Sequence, residues 1–202
     1  MILEKYLKEK QAFIFELDNV IYPEKDYLLQ VYYLFAQFME YGEQLNATDV
    51  LNYMRQTFLE EGANGVFDKT AARFNIDEKY RVNFEMLLFS VRLPLKLLIF
   101  SDVLTFLQTI VLERKQIFLL VSGNPGMQLN KIKQTEWNGL EKYLTVYFTE
   151  ELDPALNPFE FIAEKHQLKK ADMLMIGKSG TIKASAENVK ICYLQVDDLF
   201  VK

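Results

Sequence analysis

The stretch "AFIFELDNVIYP", residues 12–23, joins a short apolar run to two acidic residues and a turn. A strand buried on both faces of a parallel sheet has this kind of uninterrupted apolar run. Ligands in open parallel sheets bind outside the carboxyl ends of the strands. Glu16 and Asp18 therefore mark a candidate site at the end of a first strand, and the rest of the chain must show whether it is a working centre.

Four similar apolar runs follow in the second half of the chain. Helix-like segments separate them, and this alternation predicts an α/β fold with a parallel sheet covered on both faces. The runs are "QIFLLV" at 116–121, "TVYFTE" at 145–150, "DMLMIG" at 172–177 and "KICYLQV" at 190–196.

Residues 25–100 have a helical pattern instead. Apolar residues recur at helical spacing in "DYLLQVYYLFAQFMEY" and "EKYRVNFEMLLFSV", with start signals at Asp26 and Thr48 and a stop signal at Gly42. We expect a helical domain over 25–100, inserted into a core formed by 1–24 and 101–202. The tyrosines and phenylalanines of this segment are expected to form its core, because aromatic stripes at helical spacing are usually buried.

Composition limits the class of protein. The chain has 202 residues, 50% of them hydrophobic, with 28 acidic and 23 basic residues, so nothing in its charge favours nucleic acid or an anionic membrane as a partner. The only cysteine, Cys192, excludes a disulfide framework. No apolar run is long enough to span a bilayer. We expect a soluble cytoplasmic protein, with the only histidine, His166, on its surface.

Several motifs occur in order at the predicted strand ends. They are "FELDNVIYP", "VRLPLKLL", "LLVSGNP", "LNPFEFIAEK" and "MLMIGKSGTIKASAENVKI". Together they make nearly the whole chain similar to the haloacid dehalogenase superfamily of phosphohydrolases, and most similar to its pyrimidine nucleotidase-type branch. The resemblance implies a Rossmann-like α/β core with a parallel sheet, and a helical cap inserted after the first strand.

The resemblance also implies a chemistry. In active members a leading aspartate forms an aspartyl-phosphate, and a second aspartate two residues later acts as general acid and base. A serine or threonine binds the phosphoryl oxygens, a lysine neutralises charge, and further aspartates hold Mg²⁺. The corresponding positions in this sequence are Glu16, Asp18, Ser122, Asn157, Lys178 and Ile182.

The departures from this pattern concern chemistry. Glu16 keeps a carboxylate but is one bond longer, about 1.5 Å, in a reaction where a 1 Å displacement can cost about a hundredfold in rate. Asn157 replaces the cation, while Lys178 and Ile182 replace both metal carboxylates. We therefore predict that the Mg²⁺ of an active relative is absent as a cofactor. Lys178 is predicted to put its ammonium where the metal would lie, paired with Glu16 and Asp18.

Two motifs have simpler alternatives. Ser122, Gly123 and Asn124 are predicted to bind phosphate, and the expected ligand is phosphate or a small phosphorylated molecule. However, "SGNP" is also a good turn and helix start without any ligand. Asn157 before Pro158 likewise fits the start of a helix.

Three functions remain open. The first is a non-catalytic or severely impaired family member that binds a small ligand or a protein. The second is a phosphomonoesterase acting on a nucleotide or sugar phosphate, with Glu16 as nucleophile or Asp18 with a water. The third is an interaction protein that self-associates. The substitutions favour the first or third, since function depends on the site and not on the fold.

Overall fold

The structure is a computed structural model that describes residues 2–199. The helices are α1 Ile2–Glu9, α2 Glu24–Glu43, α3 Ala47–Glu61, α4 Val66–Phe74, α5 Arg81–Ser90, α6 Ser101–Leu112, α7 Pro125–Gln134, α8 Pro158–Lys165 and α9 Gly180–Asn188. The strands are β1 Ala12–Phe15, β2 Leu97–Leu98, β3 Gln116–Val121, β4 Thr135–Glu136, β5 Leu144–Phe148, β6 Met173–Gly177 and β7 Cys192–Gln195. Short 3₁₀ helices span Glu78–Tyr80, Glu141–Tyr143, Thr149–Glu151, Lys170–Asp172 and Val196–Leu199.

Within the described residues, five parallel strands form a sheet in the order β5-β3-β1-β6-β7. The first strand of the chain lies at its centre, between β3 and β6. Every residue of β1 and β6 is buried, which explains why both read as uninterrupted apolar runs. The predicted α/β parallel sheet is confirmed.

Both faces of β1 are covered by helices. Phe13 and Phe15 point to one face, where their rings contact Phe106 of α6 at centroid distances of 5.5 and 6.2 Å. Ile14 points to the other face, in a buried cluster that includes Ile162 of α8 and Ile182 of α9. Alternate residues of one strand therefore enter two different cores.

The chain divides into two compact units, residues 1–23, 98–128 and 135–202 in the first and residues 24–97 and 129–134 in the second. The predicted boundaries at 24/25 and 100/101 lie close to these, but the prediction placed 129–134 in the core. This segment groups with the second unit because its side chains bond there. The Asn130 amide donates to the Val91 carbonyl at 2.9 Å and to the Tyr27 hydroxyl at 3.1 Å.

Aromatic side chains form the core of the second unit. The rings of Phe35, Phe67 and Phe84 lie 5.2–5.8 Å apart, and Tyr32 stacks on Phe84 at 6.1 Å. All four are buried. Their helical spacing therefore marks a hydrophobic core, as expected.

Helix limits in this unit differ from the sequence signals by one or two residues. The predicted start at Thr48 is wrong because Asn46 is the N-cap of α3: its side-chain oxygen accepts from the Asp49 N–H at 3.1 Å. Similarly, α2 begins at Glu24 rather than Asp26 and continues past Gly42 to Glu43. No helix within residues 2–199 is both long and apolar enough to cross a membrane.

His166 is not the surface residue that its charged surroundings predict. It follows α8 and is half-buried, with Nε2 at 2.7 Å from the Tyr147 hydroxyl and its ring 4.6 Å from that of Phe118. Burial lowers the pKa of His166, and the charge of Lys165 lowers it further. Its role is packing against the sheet.

Candidate functional site

A cleft of about 330 Å³ opens at the carboxyl ends of β1, β3 and β6. Because Phe15 pairs with both Leu119 and Ile176, the segments that follow these strands meet at one edge of the sheet. Ligands bind at this edge in open parallel sheets. The lining residues are Glu16, Leu17, Asp18, Asn19, Leu120, Val121, Ser122, Lys178 and Ser179.

Four of the predicted site residues thus line one cleft: Glu16, Asp18, Ser122 and Lys178. The backbone after β1 positions the first two. Asn19 has a left-handed φ of 61°, which asparagine adopts more readily than most residues, and its N–H donates to the Tyr22 carbonyl at 2.9 Å. Main-chain bonds hold this turn, so the fully buried Val20 needs no hydroxyl there.

The carboxylate of Glu16 is bound to main-chain amides. Its Oε2 accepts hydrogen bonds from the Lys178 N–H at 2.5 Å and the Ser179 N–H at 2.9 Å. These amides lie just before α9, whose helix dipole favours a negative charge at that end. The acid is therefore stabilised by the loop after β6.

Gly177 makes room for this carboxylate. A Cβ at Gly177 would lie 2.5 Å from Glu16 Oε2 and 3.2 Å from the ring of Tyr193, so a side chain there would collide with the acid. Burial, and then the charge of Glu16, raise the pKa of Tyr193 to about 12. Glycine, tyrosine and two amides thus surround the carboxylate.

Asp18 has separate partners. Its Oδ1 accepts from the Tyr22 hydroxyl at 2.7 Å, and its Oδ2 accepts from Gln128 Nε2 at 3.2 Å. The same Gln128 nitrogen donates to the Ser122 carbonyl at 2.8 Å. The glutamine, only 4% exposed, therefore ties the turn after β1 to the loop after β3.

The predicted phosphate-binding segment is largely engaged within the protein. The Gly123 N–H donates to the Glu150 carboxylate at 2.6 Å, and Asn124 Oδ1 accepts from the Met127 N–H at 3.1 Å in the first turn of α7. Neither residue lines the cleft. The simpler alternative, a turn and helix start, describes Asn124 well, while Ser122 remains exposed in the cleft.

Asn157 lies outside the cleft lining. Its Oδ1 accepts from the Phe159 N–H at 2.9 Å, which makes it the N-cap of α8, with Pro158 at the first helical position. Its Nδ2 donates to the carbonyl and hydroxyl oxygens of Ser185 in α9, both at 3.1 Å. The helix-start interpretation is confirmed, and the residue also joins two helices.

Lys178 does not form the predicted ion pair with Glu16 and Asp18. Its Nζ lies 3.8 Å from Asp197 Oδ2, and its side chain is 51% exposed. The main-chain N–H of Lys178, and not its ammonium, contacts Glu16. Two amides bind Glu16 Oε2, and the long side chain of Lys178 extends toward Asp197 instead. Lys178 and Asp197 both line a second cavity, of about 250 Å³.

The donor set does not fit the Mg²⁺ that the sequence resemblance implies. Magnesium requires oxygen ligands in octahedral geometry, yet Ile182 is 6% exposed within the hydrophobic cluster, and Glu16 Oε2 is held by two amides. Among residues 2–199, no group of three or more His, Cys, Asp or Glu side chains is arranged to hold a metal.

The sequence analysis does not predict four residues of the site: Tyr22, Gln128, Glu150 and Tyr193. Glu150 had a signal, because it ends an apolar run in the way that Glu16 follows one. Tyr22 is separated from Asp18 by a single turn. Gln128 lies inside a helix and Tyr193 inside a strand, and neither position carries a signature.

Comparison with known proteins identifies the fold. No protein-family model matches the chain, and no curated protein matches it. Solved structures do match. A hydrolase from Streptococcus pneumoniae has a TM-score of 0.54 at 15% identity, over 96% of this chain and 94% of that one. A haloacid dehalogenase-like hydrolase from Xanthomonas campestris has a TM-score of 0.54 at 14% identity, over 92% and 80%.

A third similar structure is the L-2-haloacid dehalogenase from Xanthobacter autotrophicus with chloropropionic acid covalently bound, with a TM-score of 0.52 at 13% identity, over 91% of this chain and 76% of that one. The parallel sheet and the site at its carboxyl edge define a Rossmann-like α/β protein. Within that class the chain has the haloacid dehalogenase-like fold. Its assignment to the pyrimidine nucleotidase-type branch stays a prediction.

Proposed function

We propose that this protein is a non-catalytic or severely impaired member of the haloacid dehalogenase-like hydrolases that binds a small ligand in the cleft. The observation that carries the proposal is the position of Glu16, whose Oε2 is bonded to the Lys178 and Ser179 amides. A nucleophile must present a lone pair to phosphorus within about 3–3.5 Å. Oε2 is engaged on the loop after β6, which leaves only Oε1 to approach a ligand, from a carboxylate held at that loop.

The environment of Asp18 supports the same proposal. A general acid and base exchanges a proton at one carboxylate oxygen. Tyr22 donates to one oxygen of Asp18 and Gln128 to the other. Both bonds hold the carboxylate in place. Asp18 therefore stands where the resemblance places the general acid and base, but its hydrogen bonds hold the turn after β1.

Charge neutralisation is the third missing function. Asn157 is uncharged and joins α8 to α9, and the ammonium of Lys178 lies nearest to Asp197. Glu150 adds a carboxylate at the Gly123 amide. Developing negative charge on a transferred phosphoryl group would meet few compensating groups.

The ligand we propose is phosphate or a small phosphorylated molecule held at the cleft surface. The groups available there are the hydroxyl of Ser122 and the ammonium of Lys178, both of which line the cleft. A cytoplasmic setting remains part of the proposal, supported by the single cysteine. Self-association remains a separate proposal, to be tested by light scattering.

A second candidate is a phosphomonoesterase that uses Glu16 as nucleophile or Asp18 with a water. The placement of Asp18 and Ser122 in one cleft favours it. The two functions differ in one observable, which is turnover.

The test is a Mg²⁺-supplemented assay with an aryl phosphate and with pyrimidine nucleotides. We expect no turnover above background, and the same result for Asp18→Asn as the matched variant. Turnover in the wild type that Asp18→Asn abolishes would establish the enzyme instead. Ligand-dependent thermal stabilisation, measured in parallel, tests binding, because a ligand of the native state raises its apparent stability.

A further inference from the structure

We infer that Glu16 acts as an internal anionic ligand. Its carboxylate fills an oxyanion site formed by the Lys178 and Ser179 amides, and any anionic ligand must displace this carboxylate to reach the two amides. The inference rests on the proposed non-catalytic function and concerns regulation of the same cleft. The occupant is part of the chain and is visible in the structure. Two hydrogen bonds at 2.5 and 2.9 Å converge on a single oxygen of this residue.

The space around Glu16 is shaped for an oxygen. A Cβ at Gly177 would lie 2.5 Å from Oε2, so the absence of a side chain there leaves the space that this oxygen fills beside the two amides. The N–H groups of Lys178 and Ser179 precede α9, and converging amides of this kind bind anions. Ser179 further orders the loop, since its Oγ accepts from the Ile182 N–H at 3.4 Å.

A second carboxylate follows the same principle at the neighbouring loop. The Gly123 amide, a predicted phosphate donor, bonds to Glu150 at 2.6 Å. Thr149 donates its hydroxyl to the other oxygen of Glu150 at 2.8 Å. Main-chain donors at the ends of both β3 and β6 are therefore satisfied by acids of the chain itself.

Glutamate has the length that this occupancy requires. It arises from the strand that adjoins β6, at a position where its own N–H donates to the Ile176 carbonyl at 3.1 Å. Its side chain therefore starts beside the loop that it caps. A glutamine at the same position keeps an acceptor oxygen but no charge, whereas an alanine vacates the site.

That difference provides the experiment. Inorganic phosphate is titrated into wild type, Glu16→Ala, Glu16→Gln and Asp18→Ala, and the Lys178 and Ser179 amide resonances are followed by NMR. We expect them to respond to phosphate in Glu16→Ala, with an affinity at least tenfold above that of Glu16→Gln. In wild type they should not respond.

Asp18→Ala is the matched control, because it removes one negative charge from the same cleft without vacating the amides. Equal gains in Asp18→Ala or Glu16→Gln would show a general charge effect and overturn the inference. So would a lack of binding by folded Glu16→Ala, or a response of these amides to phosphate in wild type. Any of these results, if no turnover is seen, overturns the inference and leaves the non-catalytic proposal intact. Turnover by wild type overturns the non-catalytic proposal itself.

Where Glu16→Ala does not fold, wild type alone decides. The Lys178 and Ser179 amide shifts should titrate together with the side-chain carboxyl carbon of Glu16 as the pH is lowered. Independent titration would show that the carboxylate does not occupy these amides in solution, and would overturn the inference.

Discussion

Gly177 controls the position of Glu16 through the atom that it lacks. We predict that Gly177→Ala lowers the free energy of unfolding by about 1–3 kcal/mol, because the new methyl group collides with Oε2 and displaces the carboxylate from two amides. The backbone φ at this position lies outside the left-handed range, so alanine adds no backbone strain. Urea denaturation measures the change.

Gly180→Ala is the matched control for this prediction. Nothing lies within 4 Å of a Cβ at Gly180, the first residue of α9. We expect its stability to change by less than about 1 kcal/mol, in the stabilising direction, as for glycines replaced at compatible helical sites. Equal losses in the two variants would contradict the steric explanation.

Individual site residues were predictable by position and not by role. Strand ends converge, so Glu16, Asp18, Ser122 and Lys178 could be placed in one cleft from the sequence. The direction of each side chain could not. Main-chain amides bind Glu16. Because every residue except proline carries such a donor, no residue type indicates which amides will bind. The four-carbon stem of Lys178 can extend in several directions.

At the scale of elements, Asn157 fixes where α8 begins and how it joins α9. We predict that Asn157→Ala destabilises α8 by about 2 kcal/mol or more, because it loses both an N-cap and two bonds to Ser185. Asn157→Asp keeps the cap and loses only the bonds to Ser185, so it should cost less. Amide hydrogen exchange within α8 reports these changes.

Asn46 provides the comparison. It caps α3 through one hydrogen bond to the Asp49 N–H and has no second-helix bond of the kind that Asn157 makes. Asn46→Ala should therefore cost about 1 kcal/mol, measured by exchange within α3. A cost equal to that of Asn157→Ala would show that the bonds to Ser185 contribute little.

Elements were predictable where local pattern decides them. Burial on both faces makes β1 and β6 apolar throughout. Pro158 indicates the start of α8. The unit to which residues 129–134 belong was not predictable, because it depends on bonds from Asn130 to residues distant in sequence. Local pattern contains no information about such partners.

At the scale of the whole molecule, Ile182 is both a candidate site position and part of the hydrophobic core. We predict that Ile182→Asp, which introduces the carboxylate that the sequence resemblance places here, lowers stability by more than about 3 kcal/mol or abolishes soluble expression. The reason is that a carboxylate would enter a cluster where this side chain is 6% exposed. Thermal unfolding and soluble yield measure the effect.

Lys178→Asp is the control, because it introduces a carboxylate at a half-exposed side chain. Its loss of a surface ion pair should cost less than about 1 kcal/mol. A well-folded Ile182→Asp protein would show that the core tolerates a carboxylate at this position. With the expected outcome, placing an acid at position 182 requires repacking of the core around α9.

The central place of β1 has a consequence for protein synthesis. Ala12 pairs with Gln116 on one side and with Met173 on the other, so β1 is synthesised well before the two strands that it pairs with. Until those strands are made, both of its edges are open and its phenylalanines are uncovered, a state that favours wrong pairing between nascent chains. This chain should therefore depend on chaperones during translation more than its size alone implies.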